Sequence, residues 1–205
     1  MISILIPTYN WNALLLVNNI YDQLKLIQIP FEIICLNDGS ISEENKYNEA
    51  INSIPNARFE SLPKNIGRSA IRNELASRAT YEWLLFLDAD VIPVRNDFIK
   101  KYVQSIENEV VVSVGGIAYQ NLQETKPLLR YQYGKKYEEV SIKRRKYNPS
   151  KYFFTANFLI KASVFHQVKF EEKLTEYGRE DLLFSIQLKQ KGYAVTHLDN
   201  PVFHL

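Results

Sequence analysis

The 205-residue chain has one cysteine, Cys35, so no internal disulfide can form, and no second thiol stands at a metal-binding spacing. Cys35 lies inside the apolar run Phe31-Glu-Ile-Ile-Cys-Leu36, the setting of a small core residue. No apolar stretch approaches the roughly 20 residues that span a bilayer. The opening Met1-Ile-Ser-Ile-Leu-Ile-Pro7 lacks a basic leader, and Pro7, Thr8 and Asn10 break its apolar run, so no secretory signal is expected. These absences predict a cytoplasmic protein. Neither sign of charge dominates, with 25 Lys and Arg against 23 Asp and Glu.

What is present suits one globular domain, with 46% hydrophobic and 23% charged residues. Charge is nevertheless uneven, since nine of the 25 basic residues fall in 126–151, against Glu138 and Glu139 alone. Such a patch suits phosphate, an acidic glycan or an anionic membrane surface, which would place the chain at the inner face of the membrane; the plainer alternative is a solvated loop. The segment matches no recognition module for nucleic acid, which is not an expected partner.

Short β-rich apolar runs alternate with segments of helical period, the pattern of an α/β protein whose mostly parallel sheet is flanked by helices. The runs predict strands near 2–6, 31–36, 57–62, 83–87 and 110–114, and helices over 12–27, 42–53, 66–79 and 96–106, with Ser42, Asn65 and Asn96 as N-caps. After Gly115-Gly116 the alternation fades, and 120–152, rich in Tyr, Lys and Arg, predicts loop and partial helix. Structure is expected to resume at 152–160, with a helix over 180–191 closed by Gly192 and a last strand pair at 194–198 and 201–204.

In such a fold the loops at the carboxyl ends of the strands surround a crevice, and four of them carry polar clusters. They are Pro7-Thr8-Tyr9-Asn10, Asn37-Asp38-Gly39-Ser40, Asn65-Ile66-Gly67 followed by Arg68 and Arg72, and Asp88-Ala89-Asp90. Each alone has a dull explanation as a turn, a cap or a chance pair. On an extended segment Asp88 and Asp90 face the same side with Cα atoms about 6.6 Å apart, a gap one ion can bridge. Their hard oxygens suit Mg2+ or Mn2+. Two carboxylates beside Leu84-Leu-Phe-Leu87 would cost heavily in desolvation without such a role.

Taken in order, these clusters with Arg72-Asn73 closely resemble the motif series of family 2 glycosyltransferases. Thr155-Ala-Asn157 and Tyr177-Gly-Arg-Glu-Asp-Leu-Leu-Phe184 resemble that family's acceptor-side elements, so the likeness covers nearly the whole chain. It implies a single GT-A domain over 1–205, with a nucleotide-sugar-binding half at 1–115 and a less regular acceptor-binding half at 116–205. It further implies metal-assisted transfer, with inversion, from a nucleoside diphosphate sugar, most simply a UDP-sugar, to a glycan or lipid-linked acceptor.

By the same resemblance Thr8, Tyr9 and Asp38 would surround the base and ribose, with Asp38 a partner of the uracil ring, Pro7 and Asn65 would belong to the same nucleotide site, and Arg72, and Arg68 less so, would lie near the nucleotide. Ala89 lies between Asp88, at the ribose or a metal-bound water, and Asp90, the metal ligand. Asp181, second acid of the Glu180-Asp181 pair, would be the base that deprotonates the acceptor hydroxyl, Glu180 would orient the acceptor and Gly178 would leave it room. Acids in a helix's first turn are favoured by its dipole, which would keep such a carboxylate ionised. Of the three histidines, His204 stands where relatives carry a third metal ligand, and His166 and His197 read as structural. A ligand so near Leu205 would be poorly anchored, which suits a chain that continues further. Two other classes fit less well. The run Leu84–Val91 imitates a haloacid-dehalogenase phosphatase, but three strands precede Asp88 where that class places its nucleophile first, and a non-catalytic nucleotide-binding module would keep the fold alone.

Overall fold

The computed structural model describes residues 1–121, 128–174 and 179–205. Among these, seven strands form one sheet in the order β3-β2-β1-β4-β8-β6-β9: β1 (Ile2–Thr8), β2 (Phe31–Asn37), β3 (Ala57–Ser61), β4 (Trp83–Leu87), β6 (Val112–Val114), β8 (Asn157–Lys161) and β9 (Thr196–His197). β1 to β4 run parallel, β8 is antiparallel to both neighbours, and β9 is parallel to β6. A smaller sheet joins β10 (Val202–His204) antiparallel to β5 (Val91–Pro93) and parallel to β7 (Ile117–Tyr119).

The helices are α1 (Leu14–Ile27), α2 (Glu44–Asn48), α3 (Arg68–Arg78), α4 (Phe98–Glu107), α5 (Leu129–Tyr137), α6 (Ile142–Tyr147), α7 (Ala162–Val168) and α8 (Glu180–Gln190). Strand periodicity sorts the core into two layers. Ile2, Ile4 and Ile6 of β1 and Leu85 and Leu87 of β4 pack with Leu16, Val17, Ile20 and Leu24 of α1 and with α4. Leu5, Leu84 and Phe86 point the other way, toward Ile71 and Leu75 of α3 and the rings of Phe158, Phe165, Phe170 and Phe184. The Phe170 and Phe184 rings stack at 4.2 Å, the Phe86 and Phe158 rings at 4.7 Å.

Several expectations are corrected. The predicted helix over 42–53 is the single α2 followed by a 3-10 turn at Glu49–Ser53. Ser42 does cap, its hydroxyl accepting the Glu44 N–H at 3.2 Å. Asn65 does not, because α3 starts at Arg68 and Asp38 takes the N–H groups ahead of it; Asn96 is exposed, with α4 beginning only at Phe98. The strands predicted at 194–198 and 201–204 are short and join different sheets, because β10 inserts between β5 and β7.

The basic segment is also more ordered than its composition suggests, and one member is no surface cation. Arg145 is 3% exposed, donates to the Val140, Val114 and Leu198 carbonyls, and lies 3.1 Å from His197 Nδ1. It fills the space left by Gly116 (φ 95°), where a Cβ would approach its guanidinium carbon to 2.7 Å. Lys126, like the Tyr177 and Gly178 expectations, lies outside the described residues.

Candidate active site

At the carboxyl ends of β1, β2 and β4 a cavity of about 750 Å³ opens, within the usual range for a small-molecule site. Pro7, Thr8, Tyr9, Asp38, Arg72, Asp88, Ala89, Asp90, Glu180, Asp181 and His204 all line it, bringing together every predicted site residue except Asn65, which is exposed and away from it. Thr8 lines the cavity, and its hydroxyl oxygen is buried with no hydrogen-bond partner among the described residues.

Asp38 follows β2 in a turn that requires Gly39 (φ 68°), since a Cβ there would come within 2.3 Å of the Lys64 carbonyl carbon. The turn presses Asp38 against the segment before α3, where its two oxygens accept the Ile66 and Gly67 N–H at 2.7 and 3.0 Å. A carboxylate has about four acceptor sites, so Asp38 keeps capacity for a ligand donor.

The Asp pair is divided by its neighbours. Arg72, 4% exposed, donates to Asp88 Oδ1 at 2.5 Å and to the Arg68 carbonyl at 3.1 Å, and its guanidinium lies 5.8 Å from the Phe170 ring. Asp90 makes no such pair with Arg or Lys among the described residues. Burial, then repulsion from Asp88, push its carboxyl above the ordinary value, against the pull of His204 and Arg130.

His204 is well held despite its position. β10 sets it opposite Val91 and Tyr119, its ring stacks on Tyr119 at 5.5 Å, and the Leu205 N–H donates to the Asp90 carbonyl at 2.9 Å. The expectation of poor anchoring is therefore corrected, and Nε2 lies 3.5 Å from Asp90 Oδ2. Across the cavity, α8 starts at Glu180 and Asp181 after Arg179 (φ 80°). Glu180 lies 3.9 Å from Arg68, and Asp181 Oδ1 accepts the Leu182 N–H at 2.7 Å. Burial raises the Asp181 carboxyl above its ordinary value despite that bond and the Arg72 charge, opposite to the dipole expectation.

Thr155 and Ala156 reach the cavity, but Asn157 does not. Its Oδ1 accepts the Tyr102 hydroxyl at 2.5 Å and its Nδ2 donates to the Gly116 and Asn200 carbonyls, tying β8 to the β6–β7 and β9–β10 turns. Sequence reading missed Trp11, Arg130, Tyr133, Tyr137 and Glu138, which also line the cavity. Arg130, Tyr133 and Tyr137 are spaced i, i+3 and i+7, a single helix face, and that spacing was the available signal.

A mostly parallel sheet flanked by helices, with paired acids at its carboxyl-end rim over a cavity, is the architecture of the GT-A glycosyltransferase fold. The chain belongs to glycosyl transferase family 2, whose sequence pattern matches residues 3–169. Among solved structures it is similar to S. aureus TarS 1–349 in complex with UDP-GlcNAc, at 19% identity and a TM-score of 0.69, over 98% of this chain and 57% of that one. It is also similar to the mannosyltransferase PcManGT from Pyrobaculum calidifontis in complex with GDP-Man and Mn2+, at 16% identity and a TM-score of 0.67, over 98% and 56% of the two chains. The chain thus spans little more than half of these relatives. No curated protein matches it by sequence.

Proposed function

We propose that the chain transfers a sugar, with inversion, from a nucleoside diphosphate sugar, most simply a UDP-sugar, to a hydroxyl of a glycan or lipid-linked acceptor. The observation that carries this reading is the one cavity lined by Thr8 and Asp38, the Asp88–Asp90 pair, and Asp181. Thr8, Tyr9 and Asp38 would receive the nucleoside, with 1–115 as the donor half and 116–205 as the acceptor half of one domain. TarS and PcManGT, captured with UDP-GlcNAc and with GDP-Man and Mn2+, support a nucleotide-sugar donor by analogy.

A divalent cation, Mn2+ or Mg2+, fits the residues present in part. Asp90 makes no ion pair with Arg or Lys among the described residues and His204 Nε2 faces it, whereas Asp88 is already engaged by Arg72. Among the described residues no three His, Cys, Asp or Glu side chains converge to hold a metal. Donor phosphates and water would complete such a shell, as is usual for these ions. Bound there, the cation would supply positive charge against the departing diphosphate.

Asp181 would take the proton of the acceptor hydroxyl as that oxygen bonds to the anomeric carbon. The bond from that carbon to the diphosphate oxygen breaks, and its electron pair leaves with the nucleoside diphosphate. A carboxylate made more basic by burial suits this task. Arg72 would hold Asp88 in place, and Glu180 would orient the acceptor.

Beyond the cavity, Lys136, Lys143, Arg144, Lys146 and Lys151 make no ion pair among the described residues, which supports a weaker peripheral attachment to anionic lipid. No helix among the described residues is long and apolar enough to cross a membrane. The donor reading is tested by incubating the protein with UDP- and GDP-sugars and Mn2+. Nucleoside diphosphate release that rises with added acceptor is expected; no release from any of them would oppose it.

A further inference from the structure

The β7 strand and α5 build a second charged wall onto this site, on residues outside the family motifs described above. Helix α5 rests on the Tyr119 ring through Gly134, where a Cβ would come within 2.1 Å of the ring. Only glycine permits that approach, and it fixes where the residues one turn away on the same face stand. Those residues are Arg130 and Glu138.

Arg130 Nη1 and Nη2 donate to the two Glu138 oxygens at 3.1 and 3.0 Å, and its guanidinium lies 5.8 Å from the Tyr119 ring centre. The Tyr119 hydroxyl also donates to Glu138, and the Tyr119 N–H donates to Glu139 at 2.7 Å. Glu139 is paired in turn with Lys135. Arg130 Nη2 is also 3.2 Å from His204 Nε2, whose other nitrogen faces the Leu205 carbonyl at 3.0 Å. A two-point carboxylate contact, a ring face and an imidazole therefore orient one guanidinium in the cavity, next to His204 and near Asp90.

We propose that Arg130 is a donor-binding residue that contacts the diphosphate of the nucleotide sugar, with Glu138 and Gly134 as its positioning residues. The inference rests on the donor-site reading above. A planar guanidinium matches phosphate oxygens at two points, and half of the side chain (48%) remains exposed toward the cavity. A fixed cation there strengthens binding of the diphosphate without touching the base or ribose.

The test titrates wild type and Arg130→Gln with UDP and with uridine in the presence of Mn2+, using GDP and guanosine if GDP is the nucleotide bound. Loss of one charged, two-point phosphate contact is expected to weaken UDP binding about 10- to 100-fold and uridine binding less than about threefold. Unchanged UDP affinity, or equal losses for UDP and uridine, would overturn the assignment while leaving the donor-site reading intact. Binding of neither UDP nor GDP by wild type would overturn both. Should Arg130→Gln fail to fold, Arg130→Lys keeps stem and charge but loses the fork. Its expected loss is about 3- to 10-fold for UDP alone, and unchanged UDP affinity again overturns the proposal.

Discussion

Residues 1–115 bring Thr8, Asp38 and Asp88 to the cavity at the ends of adjacent parallel strands, whereas 116–205 bring Arg130, Asp181 and His204 on short elements. In the first half a continuous apolar core on both sheet faces does the positioning, and the rim follows from strand order. In the second, buried side chains substitute for regular ladders: Asn157 and Arg145 spend nearly all their hydrogen-bonding capacity on backbone carbonyls and on Tyr102 and His197. The difference teaches that one cavity can have a wall set by pattern and a wall set by individual polar anchors. The two should fail differently when altered.

The largest effect should come from Asp181, at the start of α8. Asp181→Asn is expected to lower turnover about 10²- to 10⁴-fold in a product-release assay while nucleotide affinity changes little. The wild-type rate should rise with pH through the Asp181 titration, because only the ionised form accepts the proton. Since burial raises that carboxyl, the acid limb should lie above the ordinary aspartate value of about 3.9. A limb at or below that value would separate Asp181 from the chemistry.

Next in size, Leu85→Ala and Asn157→Ala set the two modes of support against each other. The first removes a buried side chain from the first half and should cost about 2–5 kcal/mol in denaturant unfolding. The second removes the side-chain partners of the Tyr102 hydroxyl and of the Asn200 carbonyl, and one of the two donors to the Gly116 carbonyl, and should cost about 1–3 kcal/mol. Asn157→Ala should also disturb the His204 end of the cavity more than the Thr8 end. Equal loss of both would merge the halves into one mechanical unit.

The smallest effect concerns Glu32, near the amino end of β2, at the opposite end of that strand from Asp38. Burial alone would push its carboxyl up, but the Thr80 N–H, the Ser3 hydroxyl and Arg58 outweigh it and hold it below the ordinary value. Its contribution is therefore complete above the unfolded value of about 4.3 and is lost as pH falls through the lower folded value. Glu32→Gln should be about 1–3 kcal/mol less stable at neutral pH, with the gap to wild type closing under acid. A gap that persists at low pH would assign the effect to packing.

The first half was legible because its layout follows from period: apolar runs mark the strands, and polar residues just past them must lie on one rim. A division of labour between Asp88 and Asp90 was implied by resemblance; the structure pairs Asp88 with Arg72 and leaves Asp90 without an Arg or Lys partner among the described residues. Asn65 misled because a good capping residue was outcompeted by Asp38, nearby in space but distant in sequence. The second half was less legible since Gly134, Tyr119 and Arg130 matter through contacts that no local pattern encodes. Arg145 shows the limit plainly, being indistinguishable in sequence from the exposed Arg144 beside it.

The most direct measurement is the melting temperature of the protein with UDP and GDP, each with and without Mn2+. A bound nucleotide stabilises by mass action, about 2.7 kcal/mol at a hundredfold excess over its dissociation constant. A donor site built on Asp90 predicts a rise with one of the two nucleotides that is larger with Mn2+ and falls sharply in Asp90→Asn. No rise with either nucleotide, or a rise indifferent to both Mn2+ and Asp90, would contradict it.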